Sequence, residues 1–393
     1  IYGKDHPYGE LTTEETLANI TVDQIKEYYD TYFVPNRSYL VMVGDLTRAE
    51  AEKLAKGAFS KWEAKDVEVP TFKTPALPSG VTVNFVPRSG AVQSNIIVSH
   101  PVAVKPGTKD ALQAGIVNRI LGVGFNGRLF QNIREDKAYT YGAGSTFSAD
   151  QLVGNFSASS DVRNTVTDSA VTEFLYEMMK ISTEPVTAEE LNRSKNQITG
   201  SFGRALESPQ RIASYALNTI RYGLDRDYYP TYLKKVEATT AADLLAVAKQ
   251  VITPKQTNII VVGDKAVAEK LAKFATSGKV NYYDVNGEPV NMEDMAAPTD
   301  LTPEGILNGY LKAIGGKDAV MKVKNYAFTM AGSVQGQTLT QSFYKADGDK
   351  FSSQTVAMGM TMADQRYNAG QASVIAQGQK MPLPEAAQAA MAD

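Results

Sequence analysis

The chain has 393 residues, of which 43% are hydrophobic and 21% are charged, and its formal net charge is −3. This balance is typical of a globular protein of two or three domains, and it gives no indication of nucleic-acid or anionic-membrane binding. No apolar run approaches the roughly 18–20 residues that a membrane-spanning helix needs. There is no cysteine, so disulfides and thiolate metal ligands are excluded.

A helix, a strand and a second helix are the first clearly predicted elements. Thr21 and Gln24 form a capping box that opens a helix ending before Pro35. Residues 38–43 predict a strand, which a Gly-Asp turn closes. A helix with apolar residues at Leu54 and Phe59 follows.

The same order of elements recurs 219 residues later, from Thr240 through Pro254 to the run Val261-Val262-Gly263-Asp264. A constant offset between matching helix, turn and strand indicates an internal repeat of one domain type. The second copy is preceded by about 165 residues of its domain and the first by about 20, so we expect about 145 residues to be missing from the first. A chain that opens on Ile1 without a visible signal peptide is expected to be a processed product or a fragment.

Proline-rich stretches and the repeat together predict the domain organisation. We expect the parts to be a truncated first domain (1–66), a linker (67–79), a second domain (80–283), a second linker (284–305), a β-rich partial domain (306–381) and a tail (382–393). The second domain alternates strands and helices, which predicts an α+β fold with a mainly antiparallel sheet and helices on one face. Its later tyrosines are expected to serve in packing rather than in a binding stripe; they are Tyr215, Tyr222, Tyr228, Tyr229 and Tyr232.

His6 and His100 are the only histidines, and neither belongs to a zinc motif. The inverted motif H-x-x-E-H needs two histidines on one helical face with a glutamate between them. His6 precedes Pro7 in a turn-rich loop, and His100 precedes Pro101 at the end of a predicted strand, so we expect structural or exposed roles for both. On its own, this chain is predicted to have no metal site.

Residues 125–144 carry the strongest candidate site. A glycine-rich turn leads into a short amphipathic helix, and alternation from Tyr139 onward predicts a strand. Arg134 near the helix end and Tyr141 seven residues later offer a fork of N–H donors and a phenol O–H donor, which together could hold a peptide carbonyl or carboxylate. The alternative is an ordinary helix–strand turn with a surface arginine and a tyrosine at the core edge.

The run Gly127-Arg128-Leu129-Phe130, then Ile133-Arg134-Glu135 and Tyr141, resembles the second, non-zinc domain of the pitrilysin/insulinase (inverzincin) metallopeptidases. The resemblance implies that Arg134 and Tyr141 reach into the active site of the first domain and bind the substrate backbone beside zinc. It also suggests substrate contacts from Gly127 and Arg128. Ala138 and Tyr139 stand where the family usually has glycine and leucine.

The resemblance therefore implies the C-terminal portion of a zinc-dependent metalloendopeptidase that acts on peptides. Zinc would belong to the complete protein, in a missing N-terminal segment, and this chain alone would be inactive. The alternative is a non-catalytic subunit that presents peptides to a separate zinc-bearing chain, with dimerisation possible in either case. The expected setting is a bacterial periplasm or cell envelope, with the cytoplasm as the alternative.

The C-terminal part has the pattern of β-hairpins after a short helix. Tyr326, Phe328 and Met330 alternate, and a row formed by Met358, Met360 and Met362 is expected to line the buried face of a sheet. A lipid-binding face is the alternative for this row. The segment resembles the first half of bacterial outer-membrane lipoprotein-sorting proteins, which would imply a periplasmic carrier of lipophilic ligands.

Overall fold

The structure is a computed structural model that describes residues 1–291, 302–334 and 337–383. The chain divides into two units, Ile1–Asp294 and Met295–Asp393. Within the described ranges, no helix is long and apolar enough to cross a membrane. Residues 292–301 of the predicted second linker and 384–393 of the predicted tail lie outside the described residues.

A six-stranded mixed sheet is the centre of the first unit. Its strands are β1 (Thr82–Pro87), β2 (Gln93–Val102), β3 (Ala143–Ser148), β4 (Gly154–Arg163), β5 (Asn258–Gly263) and β6 (Val280–Tyr282). They lie in the order β3-β4-β2-β5-β1-β6. The pairs β3/β4, β4/β2 and β2/β5 are antiparallel, whereas β5/β1 and β1/β6 are parallel. The predicted α+β class is confirmed, with a sheet that is mixed.

One face of this sheet is buried under helices. The helices of the unit are α1 (Glu14–Ala18), α2 (Val22–Tyr32), α3 (Arg48–Phe59), α4 (Lys109–Gly122), α5 (Thr167–Thr183), α6 (Ala188–Ala205), α7 (Pro209–Arg221), α8 (Tyr232–Ala238) and α9 (Ala241–Val251). Register pairs such as Phe85↔Val261 and Ile96↔Val261 place these apolar residues on the same face, where they are fully buried. Helices α4, α5 and α9 pack against one another, α4 contacts β3, and α5 contacts β2 and β4.

The two copies of the repeat have the same local structure at their first helix. Both α2 and α9 contain 11 residues, and each starts with a threonine capping box, at Thr21 with Gln24 and at Thr240 with Asp243. These helices and their caps agree with the sequence pattern.

The two copies differ in burial. Leu244 and Val247 of the second copy are 0% and 2% exposed, whereas Ile25 and Tyr28 at the equivalent positions are 57% and 59% exposed. In the second copy, β5 lies between β2 and β1. In the first copy, the prediction of a strand at residues 38–43 is wrong: these residues form no ladder among the described residues. A strand needs neighbouring strands for its backbone hydrogen bonds, and the first copy has none within the described chain.

The second unit is an antiparallel meander preceded by two helices, α10 (Pro303–Ala313) and α11 (Lys317–Met321). Its strands run in sequence order along the sheet and are β7 (Asn325–Val334), β8 (Gln337–Ala346), β9 (Lys350–Ala357), β10 (Met360–Asn368), β11 (Gln371–Ala376) and β12 (Gln379–Met381). The prediction that a methionine row lines the buried face is wrong. Met358 and Gly359 form the turn between β9 and β10, both with positive φ, and Met358 and Met360 are each 59% exposed. A two-residue turn of this type interrupts the strand alternation on which the prediction depended.

Candidate functional site

The candidate site begins at a tight contact between glycines. A Cβ on Gly127 would lie 2.9 Å from the Cα of Gly122 and 3.0 Å from the nitrogen of Val123. Only glycine allows this approach without displacing the backbone. Gly127 is buried and its carbonyl accepts from the Gln131 N–H at 3.0 Å, so it supports the start of the following helix.

That helix is a π-helix, Phe130–Asp136. Leu129, Phe130 and Ile133 are buried, as the amphipathic pattern predicted. π-Helical turns are rare and occur frequently at functional sites, where the extra residue per turn changes the direction of a side chain. Arg134 lies in the last turn of this helix.

Arg134 is partly exposed and has two contacts. Its guanidinium is 4.8 Å from the centroid of the Phe130 ring, in a cation–π arrangement, and it also pairs with the neighbouring Glu135. Phe130 in turn meets the exposed Phe125 ring edge to face at 5.1 Å. Arg134 is therefore an accessible cation supported by an aromatic surface, and an anionic or carbonyl ligand could replace its flexible Glu135 partner.

The turn after the π-helix is stabilised by hydrogen bonds to backbone carbonyls. Ala138 has φ +52°, in the left-handed region, and it closes the helix through its N–H to the Arg134 carbonyl at 3.0 Å. Arg163 donates to the Ala138 carbonyl at 3.0 Å, and the Thr140 hydroxyl donates to the Asp161 carbonyl at 2.6 Å. Glycine adopts a left-handed φ without steric strain. This explains why the family that the chain resembles usually has glycine at the position of Ala138.

Tyr141 is 91% exposed and makes no hydrogen bond or ring contact with any of the described residues. The strand predicted from Tyr139 begins later, at Ala143, so Tyr141 lies in the turn rather than in β3. The fixed backbone thus presents a free phenol O–H to solvent. Arg134 and Tyr141 do not hydrogen-bond each other; they lie at the two ends of one rigid turn.

Arg128 is largely committed to the fold. Its Nε and Nη2 donate to the two carboxylate oxygens of Glu190 at 2.7 and 2.9 Å. Burial would raise the pKa of Glu190, but hydrogen bonds from Arg128 and Thr187 outweigh it and hold the pKa at about 2. Of the guanidinium nitrogens of Arg128, only Nη1 has no hydrogen-bond partner, and it is buried. Any contact of Arg128 with a substrate would therefore have to use Nη1.

The residues present do not fit a catalytic zinc ion. Asn118 of α4 is buried and exchanges two hydrogen bonds with Ser145. His100 is buried and contacts the Thr257 hydroxyl and the Val251 carbonyl, and His6 accepts from the Tyr8 N–H at 3.2 Å. In the ranges that the structure describes, no group of three or more histidines, cysteines or acidic residues could hold a metal ion.

Sequence reasoning missed Arg163 and Thr140, which position the turn that carries Tyr141. Arg163 donates to the Ala138 carbonyl, and the Thr140 hydroxyl donates to the Asp161 and Gly142 carbonyls. No local pattern marks such long-range partners, so only the three-dimensional structure identifies them.

The family model described as the peptidase M16 inactive domain matches residues 19–198. Residues 19–198 thus match the peptidase M16 inactive domain family, and the resemblance to the non-zinc domain of the pitrilysin/insulinase metallopeptidases is confirmed.

Curated bacterial relatives agree with this assignment. The chain is 25% identical over 204 residues to "Uncharacterized zinc protease YmxG" of Bacillus subtilis, covering 51% of this chain and 48% of the relative. It is 24% identical over 238 residues to "Non-peptidase homolog YmxG" of Helicobacter pylori, covering 60% and 54%. The chain thus spans about half the length of the curated relatives that it matches.

Solved structures show the same fold. A peptidase M16 inactive domain from Pseudomonas fluorescens superposes with a TM-score of 0.61 at 22% identity, covering 67% of this chain and 63% of that one. A protease from Helicobacter pylori superposes with a TM-score of 0.59 at 19% identity, covering 64% and 61%.

Proposed function

We propose that this chain is the C-terminal portion of a zinc-dependent metalloendopeptidase and supplies Arg134 and Tyr141 to bind its peptide substrate. The observation that carries the proposal is the exposed, unpartnered Tyr141 on a turn whose backbone is fixed from both sides. Relatives named as zinc proteases support the reaction class. The zinc motif would lie in a polypeptide segment outside this chain.

The two side chains would perform different tasks in substrate binding. The Arg134 guanidinium can donate two parallel hydrogen bonds to a backbone carbonyl or carboxylate of the peptide. The Tyr141 O–H can donate to the carbonyl oxygen of the scissile bond. That hydrogen bond would strengthen as negative charge develops on the oxygen during attack, which stabilises the transition state more than the bound substrate.

The exposed face of the first copy supports the presence of a covering partner. In the second copy, the residues equivalent to this face are covered by β1, β2, α4 and α5. A partner for the first copy would therefore have to provide strands beside residues 38–43 and helices over α2. Such a strand–helix unit is what a zinc-bearing half-domain, or a separate zinc-bearing chain, would contribute.

The second candidate is a non-catalytic subunit that binds peptides for a zinc-bearing partner. It is favoured by the name of the Helicobacter pylori relative, a non-peptidase homolog. Both candidates use Arg134 and Tyr141 to hold a peptide. They differ in whether the zinc motif belongs to the same polypeptide, and the zinc content of the complete protein distinguishes them.

The test compares the complete protein with its Arg134→Ala variant on a fluorogenic peptide. The account expects kcat/KM to fall by roughly 10-fold to 100-fold while bound zinc stays unchanged, because the lost group contacts substrate rather than metal. Arg193→Gln is the matched control, since Arg193 is a partly exposed arginine of α6 whose one ion pair among the described residues is with Glu189. Unchanged turnover in Arg134→Ala would refute the assigned role.

A further inference from the structure

One pocket of the first unit is lined by basic and aromatic side chains. It encloses about 420 Å³ between α4, α6, α7 and the segment that leads into α8. Two arginines, Arg119 and Arg211, line it together with an aromatic cluster, and none of its lining residues is acidic. It is separate from the turn that carries Arg134 and Tyr141.

The aromatic wall is built from stacked rings. Phe202 stacks on Tyr215 and on Tyr232, with centroid distances of 5.7 and 5.1 Å, and Tyr215 stacks on Tyr229 at 4.1 Å. Each of these rings is half-buried, so one side packs against the cluster while the rest remains accessible. Tyrosines with this arrangement supply a rigid apolar surface at a low cost in conformational entropy.

The phenols of this wall are hydrogen-bond donors at physiological pH. Burial raises the pKa of Tyr228 to about 12, and it also raises the pKa of Tyr229 and Tyr232. These groups therefore keep their protons and add neutral O–H donors to the two guanidinium groups.

The two arginines have no partner of opposite charge among the residues that the structure describes. None of the ion pairs or side-chain hydrogen bonds found among the described residues involves Arg119 or Arg211. Arg119 is half-buried on α4, where it is less screened than a surface residue, and Arg211 is exposed at the start of α7. Partly desolvated guanidinium groups without carboxylates are complementary to an anionic ligand.

From this complementarity we infer that the pocket binds a carboxylate group of a peptide, with Arg119 and Arg211 as its charge partners and the tyrosine wall holding the adjoining residues. The planar fork of a guanidinium matches a carboxylate in a bidentate pair. The carboxylate could come from an acidic side chain or from a peptide C-terminus. This inference requires neither zinc nor catalysis, so it stands or falls independently of the function proposed above.

The experiment is isothermal titration calorimetry on this chain with three acetylated pentapeptides. One is Ala-Phe-Ala-Phe-Ala with a free C-terminal carboxylate, one is its C-terminal amide, and one is Ala-Phe-Glu-Phe-Ala amide. We expect binding of one or both carboxylate peptides and at least roughly tenfold weaker binding of the neutral amide. Whichever carboxylate peptide binds more tightly identifies the source of the group.

Variants assign the binding to the pocket. Arg119→Gln and Arg211→Gln should each weaken binding of the better peptide roughly tenfold, whereas Arg193→Gln should not change it, because Arg193 of α6 does not line the pocket. Arg211 is exposed, so its variant is expected to fold and carries the test even if Arg119→Gln unfolds; circular dichroism checks the fold of each.

Three results with the peptides and variants would overturn the inference, and a fourth would come from a phosphate control. The first three are absence of binding by both carboxylate peptides, equal affinity for the neutral amide, and affinity that both arginine variants leave unchanged. Inorganic phosphate that binds as tightly as the peptides, with the same dependence on both arginines, would also overturn it in favour of a simple anion site.

Discussion

Arg128 and Glu190 join the start of the π-helix to the start of α6 through two parallel hydrogen bonds. Glu190 also accepts from the Thr187 N–H in the capping box of α6. One carboxylate thus links the segment that carries Arg134 to the helix layer. Arg128, which the resemblance suggested as a substrate contact, therefore also connects the start of the π-helix to α6.

Removing the charge of Glu190 should destabilise the domain. Glu190→Gln retains an acceptor for the capping box but leaves the Arg128 guanidinium, whose side chain is only 12% exposed, without a carboxylate. We expect a loss of about 2 kcal/mol in the free energy of unfolding, measured by urea denaturation at pH 7. The control is Glu189→Gln, which affects an exposed pair and should change stability by less than about 0.5 kcal/mol.

The same pair predicts a pH dependence. The folded-state pKa of Glu190, about 2, lies below its ordinary value of 4.5, so the folded state binds fewer protons than the unfolded state between these values. Its stabilisation is present above pH 4.5 and is lost as the pH falls toward 2. Glu190→Gln should reduce the slope of stability against pH in this window; an unchanged slope would contradict the pairing.

His100 predicts a second window. Burial lowers the pKa of His100 below 6.5, although its hydrogen bond to the Val251 carbonyl opposes the shift. The folded state therefore takes up a proton less readily than the unfolded state, and stability should fall as the pH drops below about 6.5. Urea denaturation at pH 7.5 and 5.5 should show this loss, and His100→Gln should reduce it. Equal losses in both proteins would assign the effect to other groups.

Ala138 offers a test of backbone strain at the site. With φ +52°, an L-residue at this position is strained, whereas glycine is not. Ala138→Gly should raise the free energy of unfolding by about 0.5 kcal/mol, after allowing for the extra entropy of glycine in the unfolded chain. Ala143→Gly in β3, at an ordinary negative φ, should lower it. Destabilisation by both substitutions would show that Ala138 is not strained.

The repeat allows a comparison between two equivalent residues. Leu244→Ala should cost about 2–4 kcal/mol, because the side chain is fully buried. Ile25→Ala at the matching position should cost less than about 0.5 kcal/mol in this chain, since 57% of Ile25 is exposed. A comparable loss of unfolding free energy at both positions would mean that Ile25 in the first copy is already covered by other residues. Should a partner bind the first copy, Ile25→Ala is expected to weaken that complex.

Sequence patterns predicted the local structure well where that structure depends on residues close in the sequence. The capping box at Thr21 and the buried face of Leu129, Phe130 and Ile133 both follow from short-range spacing. Predictions that needed distant partners failed. Residues 38–43 have strand-forming side chains but no adjacent strand, and Met358 alternates with its neighbours although it occupies a turn.

The candidate site shows the same division. The spacing of Arg134 and Tyr141 was visible in the sequence, but the strand predicted to carry Tyr141 begins two residues later. Two hydrogen bonds to the neighbouring strand β4 fix this turn. Arg163 of β4 donates to the Ala138 carbonyl, and Thr140 donates to the Asp161 carbonyl of β4. The sequence spacing therefore identified Arg134 and Tyr141 as candidates, whereas the position of the turn that carries Tyr141 depends on hydrogen bonds to the sheet.

The most direct test of the central claim is the effect of Tyr141→Phe on peptide turnover by the complete protein. Because Tyr141 is 91% exposed and makes no hydrogen bond or ring contact with the described residues, this change should leave thermal stability and zinc content unaltered. The account predicts a fall in kcat/KM of roughly tenfold or more, expressed mainly in kcat, while Tyr176→Phe at another exposed tyrosine has no effect. Full activity of Tyr141→Phe would contradict the claim that this turn presents a substrate-binding phenol.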